Sequence, residues 1–199
     1  FNALMILSEN PCKPFDKNRD GLTLGEGAGY LVLEAESVCS TKEKLAEVVG
    51  YGNANDAHHP STTSEEAFGP CFAMQRALDS CQMNPNQIDY INAHGTGTVN
   101  NDETELFAFH QIFGEIPAFN STKSYTGHTL AASGAIESIF SIAMMNNREL
   151  YSNLRCSDPL DDFGLSQILE FKSGVEIKNI MTNSFGFGGN CTSVIYSKV

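Results

Sequence analysis

Basic residues are scarce: 12 Lys and Arg stand against 24 Asp and Glu in 199 residues, a formal net charge of −12. Phosphate backbones are bound through clustered cations, so this balance excludes a nucleic-acid partner. Long hydrophobic runs are missing too. None approaches the roughly 20 residues that cross a bilayer, and Phe1 to Asn10 has neither the basic start nor the cleavage pattern of a secretory leader. Paired cysteines are the third absence. Cys12, Cys39, Cys71, Cys81, Cys156 and Cys191 show neither C-x-x-C pairing nor zinc-ligand spacing. They read as free thiols in a reducing compartment, which makes the cytoplasm the expected location. The first residue is Phe rather than Met, so a fragment or a processed product is expected.

What is present is ordinary for one domain with a sizeable core: 41% hydrophobic and 18% charged residues, without repeats. Phe1 to Ser8 reads as a loop ahead of the turn-rich Pro11 to Gly21. Gly25 to Glu34 passes from small residues into an aliphatic run and predicts a strand, paired with a second strand over Ala46–Gly52. Its G-x-G-x-G pattern precedes a strand rather than opening a helix, which is the wrong setting for a dinucleotide cradle. Ser37 to Leu45 is a polar connection with some helical character. Asn53 to Ser64 is a polar loop containing His58 and His59, but no acidic or thiol ligand stands at helical spacing beside them, and no metal is expected.

Apolar spacing predicts helices over Glu65–Cys81 and Asn101–Phe113, and a longer one from about His128 to Asn146. Strands are predicted over Gln87–Ala93, Ala118–Thr122, Ile168–Lys172, Ile180–Ser184 and Thr192–Ser197. The alternation of strands and helices makes the class α/β. Between the last two strands, the glycine-rich Phe185–Asn190 offers a turn whose amides are candidates for binding an anion.

Ser121 to Glu137 holds Lys123, His128 and Glu137 in an otherwise small, neutral run. Ionisable groups in such surroundings need a partner or a task. Lys123 and Glu137 suit a buried pair, with His128 near a helix start facing a cavity. A structural ion pair beside a core histidine fits the stretch equally well. The second stretch, Asn92-Ala-His94-Gly-Thr-Gly-Thr98, places another histidine at a strand's carboxyl end, where α/β proteins commonly keep their chemistry. Asp102 and Glu105 follow on the first turn of the next helix, where carboxylates also favour the helix dipole.

Six ordered motifs, Pro14–Gly21, Gly25–Gly29, Ala93–Thr98, Thr122–His128, Gly134–Glu137 and Asn183–Gly189, together resemble the C-terminal part of the β-ketoacyl-acyl-carrier-protein synthases. These are elongating condensing enzymes of thiolase-like fold, and the resemblance covers nearly all 199 residues. It implies a layered fold with a mixed sheet packed between helices. It also implies a cysteine nucleophile in an upstream half that this chain does not contain. The two histidine motifs correspond to His94 and His128, implied to stabilise the enolate formed when malonyl loses CO2.

Lys123 paired with Glu137 is implied to supply positive potential and to hold the loop of the second histidine. Phe185 is implied to provide an oxyanion-hole amide and a gating ring, and Thr96, Thr98 and Ser61 to bind the phosphopantetheine arm. Asp102 and Glu105 are implied to order the site from behind. No cofactor is implied. The implied partners are an acyl carrier protein bearing acyl and malonyl groups, and a second copy or a related chain in a dimer. A non-catalytic chain-length-factor-like partner is the alternative, although such proteins usually lose a histidine. Thiolases and initiating synthases pair His with Asn or Cys instead.

Overall fold

The computed structural model describes residues 1–39, 43–160 and 166–199. A five-stranded mixed sheet runs in the order β1 (Glu47–Asn55), β7 (Asn190–Ser197), β6 (Asn179–Gly186), β2 (Tyr90–Asn92), β3 (Ala118–Asn120). β1 pairs antiparallel with β7, and β7 antiparallel with β6, whereas β6, β2 and β3 are parallel. Helices α1 (Phe68–Ser80) and α2 (Val99–Ile112) cover one face. The other face carries α4 (Ser133–Asn147), which follows a one-turn helix α3 (Lys123–Thr126). A separate two-stranded ribbon joins β4 (Glu149–Leu150) to β5 (Lys172–Ser173).

The strand sequences explain the layering, because alternate side chains leave opposite faces of a sheet. Met181 of β6 joins the core of Met74, Leu78, Leu106, Phe109 and Phe119 beneath α1 and α2. Its neighbour Ile180 joins Ile142, Met144 and Met145 of α4 on the opposite face. A strand buried on both sides lacks polar alternation, as β2 shows with three fully buried residues in a row. The expected mixed sheet packed between helices is therefore present. Gly52 shows how closely the layers approach: a Cβ there would collide with the carbonyl of Ala73 on α1.

Several local expectations are corrected. Gly25–Glu34 forms no strand and does not pair with β1; an isolated bridge to His128 stops at Leu24, just before it. Its glycines lie against Thr126, Ile136 and Ile139, whereas Tyr30, Val32 and Leu33 are exposed, so hydrophobicity alone did not produce pairing. The long helix begins at Ser133 rather than His128, because Gly127 at φ +69° ends α3 and a 3₁₀ turn over Leu130–Ala132 intervenes. Only Lys172–Ser173 is a strand within or beside the predicted Ile168–Lys172. The amides of Gly188 and Gly189 donate to the carbonyls of Pro60 and Gly186, so these two glycine amides of the β6–β7 turn are engaged within the protein. Ser40–Lys42, part of the predicted polar connection, lies outside the described residues.

Candidate active site

The parallel strands bring the two histidine motifs together. His94 follows the carboxyl end of β2, Lys123 follows that of β3, and Phe185 lies near the end of β6. His128 comes from the segment between α3 and α4, held by the hydrogen bond that its N–H donates to the Thr23 carbonyl and by the one that the Gly25 N–H donates to the His128 carbonyl. The His94 and His128 rings meet edge to face with centroids 5.3 Å apart, and the Phe185 ring is 5.5 Å from that of His94. All three line a cavity of about 920 Å³, together with Thr96, Thr98 and Ser61.

Hydrogen bonds assign the imidazole protons. An ammonium can only donate, and Lys123 Nζ lies 3.3 Å from Nδ1 of His94. Nδ1 is therefore the acceptor, and the proton resides on Nε2. In His128 the backbone N–H of Leu130 donates to Nδ1 at 3.1 Å, with the Ser133 hydroxyl 3.0 Å from the same nitrogen. Again the proton belongs on Nε2. Burial disfavours the charged form of both rings, and the Lys123 ammonium adds repulsion. His94 is held well below the usual imidazole range, and His128 is brought down to about 4. At neutral pH the site thus presents two uncharged rings, each with a donor at Nε2.

Lys123 and Glu137 form the expected pair, with Nζ 2.5 Å from Oε1 and both side chains almost wholly buried. Burial still pushes the Glu137 carboxyl up against the opposing pull of the Lys123 ammonium, and Oε2 has no hydrogen-bond partner among the described residues. The ammonium also donates to the His94 carbonyl at 2.6 Å. Its direct contacts are thus with the first histidine, not with the loop of the second as expected. Neither Lys123 nor Glu137 lines the cavity; they stand behind it.

Asp102 and Glu105 hold the loop from the other side. Glu105 accepts the amides of His94 and Gly95, each at 2.8 Å. Asp102 accepts those of Thr96, Gly97 and Phe15 at 3.0, 3.2 and 2.8 Å. The chain can bend this tightly because Gly95 and Gly97 adopt positive φ. Burial raises both carboxyls, Glu105 to about 7. Thr96 and Thr98 join hydroxyls at 2.8 Å on the cavity wall, and half-buried Ser61 lines the same cavity, its amide donating to His59 Nδ1 at 3.2 Å.

Sequence reasoning overlooked Ser133, Asn92 and Asn183. Asn92 Nδ2 reaches the Glu137 carbonyl at 3.3 Å and Ser141 Oγ at 3.2 Å, tying β2 to α4. The available signal was an asparagine beside the apolar residues of each of two strands, Ile91 in β2 and Ile180–Met181 in β6. All six cysteines are free, and among the described residues no group of three or more His, Cys, Asp or Glu is placed to hold a metal ion. No helix among them is long and apolar enough to cross a membrane.

Residues 45–157 match the model of the β-ketoacyl synthase C-terminal domain, and residues 1–38 match that of the N-terminal domain. The chain belongs to the β-ketoacyl synthase family. It is 39% identical to the mitochondrial 3-oxoacyl-[acyl-carrier-protein] synthase of Arabidopsis thaliana, over 94% of this chain and 42% of that protein. It is 37% identical to 3-oxoacyl-[acyl-carrier-protein] synthase 2 of Staphylococcus aureus, over 100% and 50% respectively. Among solved structures it resembles a type II polyketide ketosynthase in complex with its acyl-carrier protein and bound to the hexaketide. There the TM-score is 0.94 at 30% identity, covering 100% of this chain and 52% of the other. The chain thus spans about half the length of the curated relatives it matches.

Proposed function

We propose that this chain is the C-terminal part of a β-ketoacyl-acyl-carrier-protein synthase and supplies the decarboxylation half of its active site. The observation that carries this reading is the pair of imidazoles whose centroids lie 5.3 Å apart, each with Nδ1 engaged by a protein donor and its Nε2 side left for a ligand. When a malonyl thioester loses CO2, the electrons of the breaking C–C bond move onto the thioester, and negative charge grows on its oxygen. His94 and His128 donate to that oxygen, and two such donors in a water-poor site lower the barrier by about 3–4 kcal/mol each. Neutrality matters here. An imidazolium pair would repel itself, and a ring protonated on Nδ1 would present a lone pair to the developing anion.

The carbanion then attacks an acyl group held as a thioester on a cysteine of an upstream half, the thiolate leaves, and the new C–C bond is complete. Phe185 contributes its amide to the second oxyanion and its ring to the gate, whereas Thr96, Thr98 and Ser61 bind the pantetheine arm. Lys123 and Glu137 act through His94 rather than on substrate. The solved neighbour's acyl-carrier complex supports such a partner, which the acidic balance of this chain would have to accommodate through a local cluster or the upstream half. Retention of both histidines favours the enzyme over a non-catalytic partner.

The test compares the chain alone with the chain joined to an upstream half carrying the nucleophile. The expected outcome is no condensation by the former, and release of CO2 from malonyl-carrier protein by the latter. Condensation by the isolated chain, or no CO2 from the joined protein, refutes the proposal.

A further inference from the structure

A buried hydrogen-bond chain runs from the middle of the sheet to the His94 loop. Asn183 of β6 and Ser193 of β7 are direct cross-strand partners, both wholly buried. Ser193 Oγ donates to Asn183 Oδ1 at 2.7 Å. That bond fixes which way the amide points, because the acceptor end is taken and the donor end is turned away from it. Asn183 Nδ2 then reaches Glu105 Oε1 at 3.2 Å, with Met74 Sδ at 3.5 Å as its other neighbour. Glu105 is the acceptor for the His94 and Gly95 amides. With the amide flipped, its oxygen would face the carboxylate and repel it.

We propose that Asn183 and Ser193 are positioning residues for His94: the hydroxyl orients the amide, the amide holds the Glu105 carboxylate as an acceptor, and the carboxylate fixes the backbone that carries the imidazole. This inference rests on the donor role given to His94 above. Neither residue lines the cavity. Three N–H donors converge on Glu105; a carboxylate accepts all three with charge assistance, whereas protonation removes that charge and puts an O–H on one of the two accepting oxygens. Protonation therefore loosens the loop. Burial already raises this carboxyl to about 7, so the donors decide its state near neutrality. The other titratable groups whose charge bears on it are Asp102 on its own helix, Cys191 on β7 and the neighbouring His94. Cys191 stays a neutral thiol, raised to about 12 by burial, and His94 stays uncharged. Asp102 is the one like charge.

The experiment follows the Glu105 carboxyl by ¹³C NMR in the protein joined to its upstream half, with the resonance assigned by Glu105→Gln. Two variants are compared with the parent: Ser193→Ala, and the double change Asn183→Leu with Ser193→Ala. The second replaces both polar partners by apolar groups of similar volume, a change that folded proteins often tolerate. The double variant is expected to move the Glu105 titration upward by about one pH unit or more, the effect of one hydrogen bond to a charged group. Ser193→Ala should move it less, in the same direction. The acid limb of CO2 release should follow each titration.

An unchanged titration in both variants overturns the proposal, even if they unfold more easily, because a merely structural pair lowers stability without moving this carboxyl. Should the double variant fail to fold, an unshifted Ser193→Ala overturns it alone. A shifted titration in a parent protein that releases no CO2 upholds the link to Glu105 and refutes the condensing reading instead.

Discussion

Replacing His94 with alanine in the joined protein lowers CO2 release from malonyl-carrier protein by about 10²–10³-fold, the loss expected for one oxyanion donor. His128→Ala should cost a similar factor, because the two rings reach the same region from different loops. Acylation of the cysteine should survive in part, since that step develops charge on a different carbonyl. Single-turnover acylation and CO2 release, measured separately, show the split. Equal CO2 release in the parent and both variants means that the imidazoles do not hold the enolate. The rings differ in how they are fixed, which gives the conservative changes different outcomes. Ser133→Ala removes one contact of His128 Nδ1 and leaves the Leu130 amide in place, so its effect is small.

Lys123→Ala has the largest expected effect on stability. Its side chain is 1% exposed, and its ammonium is bonded to Glu137, the His94 carbonyl and Nδ1 of His94. Removing one member of a buried pair leaves the other charge uncompensated, at a cost of about 3–5 kcal/mol. The double change Lys123→Met with Glu137→Leu should restore most of that stability, because an apolar pair of similar volume avoids the desolvation. Activity should not return with it. Without the ammonium, nothing makes Nδ1 of His94 the acceptor, and the ring is free to carry its proton on the wrong nitrogen. Urea unfolding and CO2 release on the three proteins measure the two roles separately. Recovery of both together means that the pair is structural only.

Much of the site was legible because ionisable residues in small, apolar surroundings are costly and therefore conspicuous. Lys123, His128 and Glu137 stood out for that reason, and His94 did because it ends a short strand. The supporting contacts were harder to read. Ser133, Asn92 and Asn183 are small polar residues whose role depends on which strands become neighbours, and β6 meets β2 only through a pairing 90 residues apart in sequence. Periodicity located the helices and most strands to within a few residues. It failed at Gly25–Glu34, where glycines pack against α4 and the aliphatic residues face outward. It failed again at His128, because a glycine at positive φ breaks what reads as one continuous helix. The place where a helix breaks and the order of the strands come from the whole fold, not from a local window.

The protonation of the two imidazoles is the most direct test of the donor arrangement. Uniformly ¹⁵N-labelled joined protein, titrated by NMR, reports both the charge and the tautomer of each ring. His128 should stay neutral down to about pH 4, and His94 should also resist protonation through the usual imidazole range, each with its proton on Nε2. The unfolded chain takes up these protons from about pH 6.5 downward, so the rings' contribution to stability should be present above that pH and fall as the pH drops toward 4. A ring that is cationic at pH 7, or one that holds its proton on Nδ1, contradicts the account.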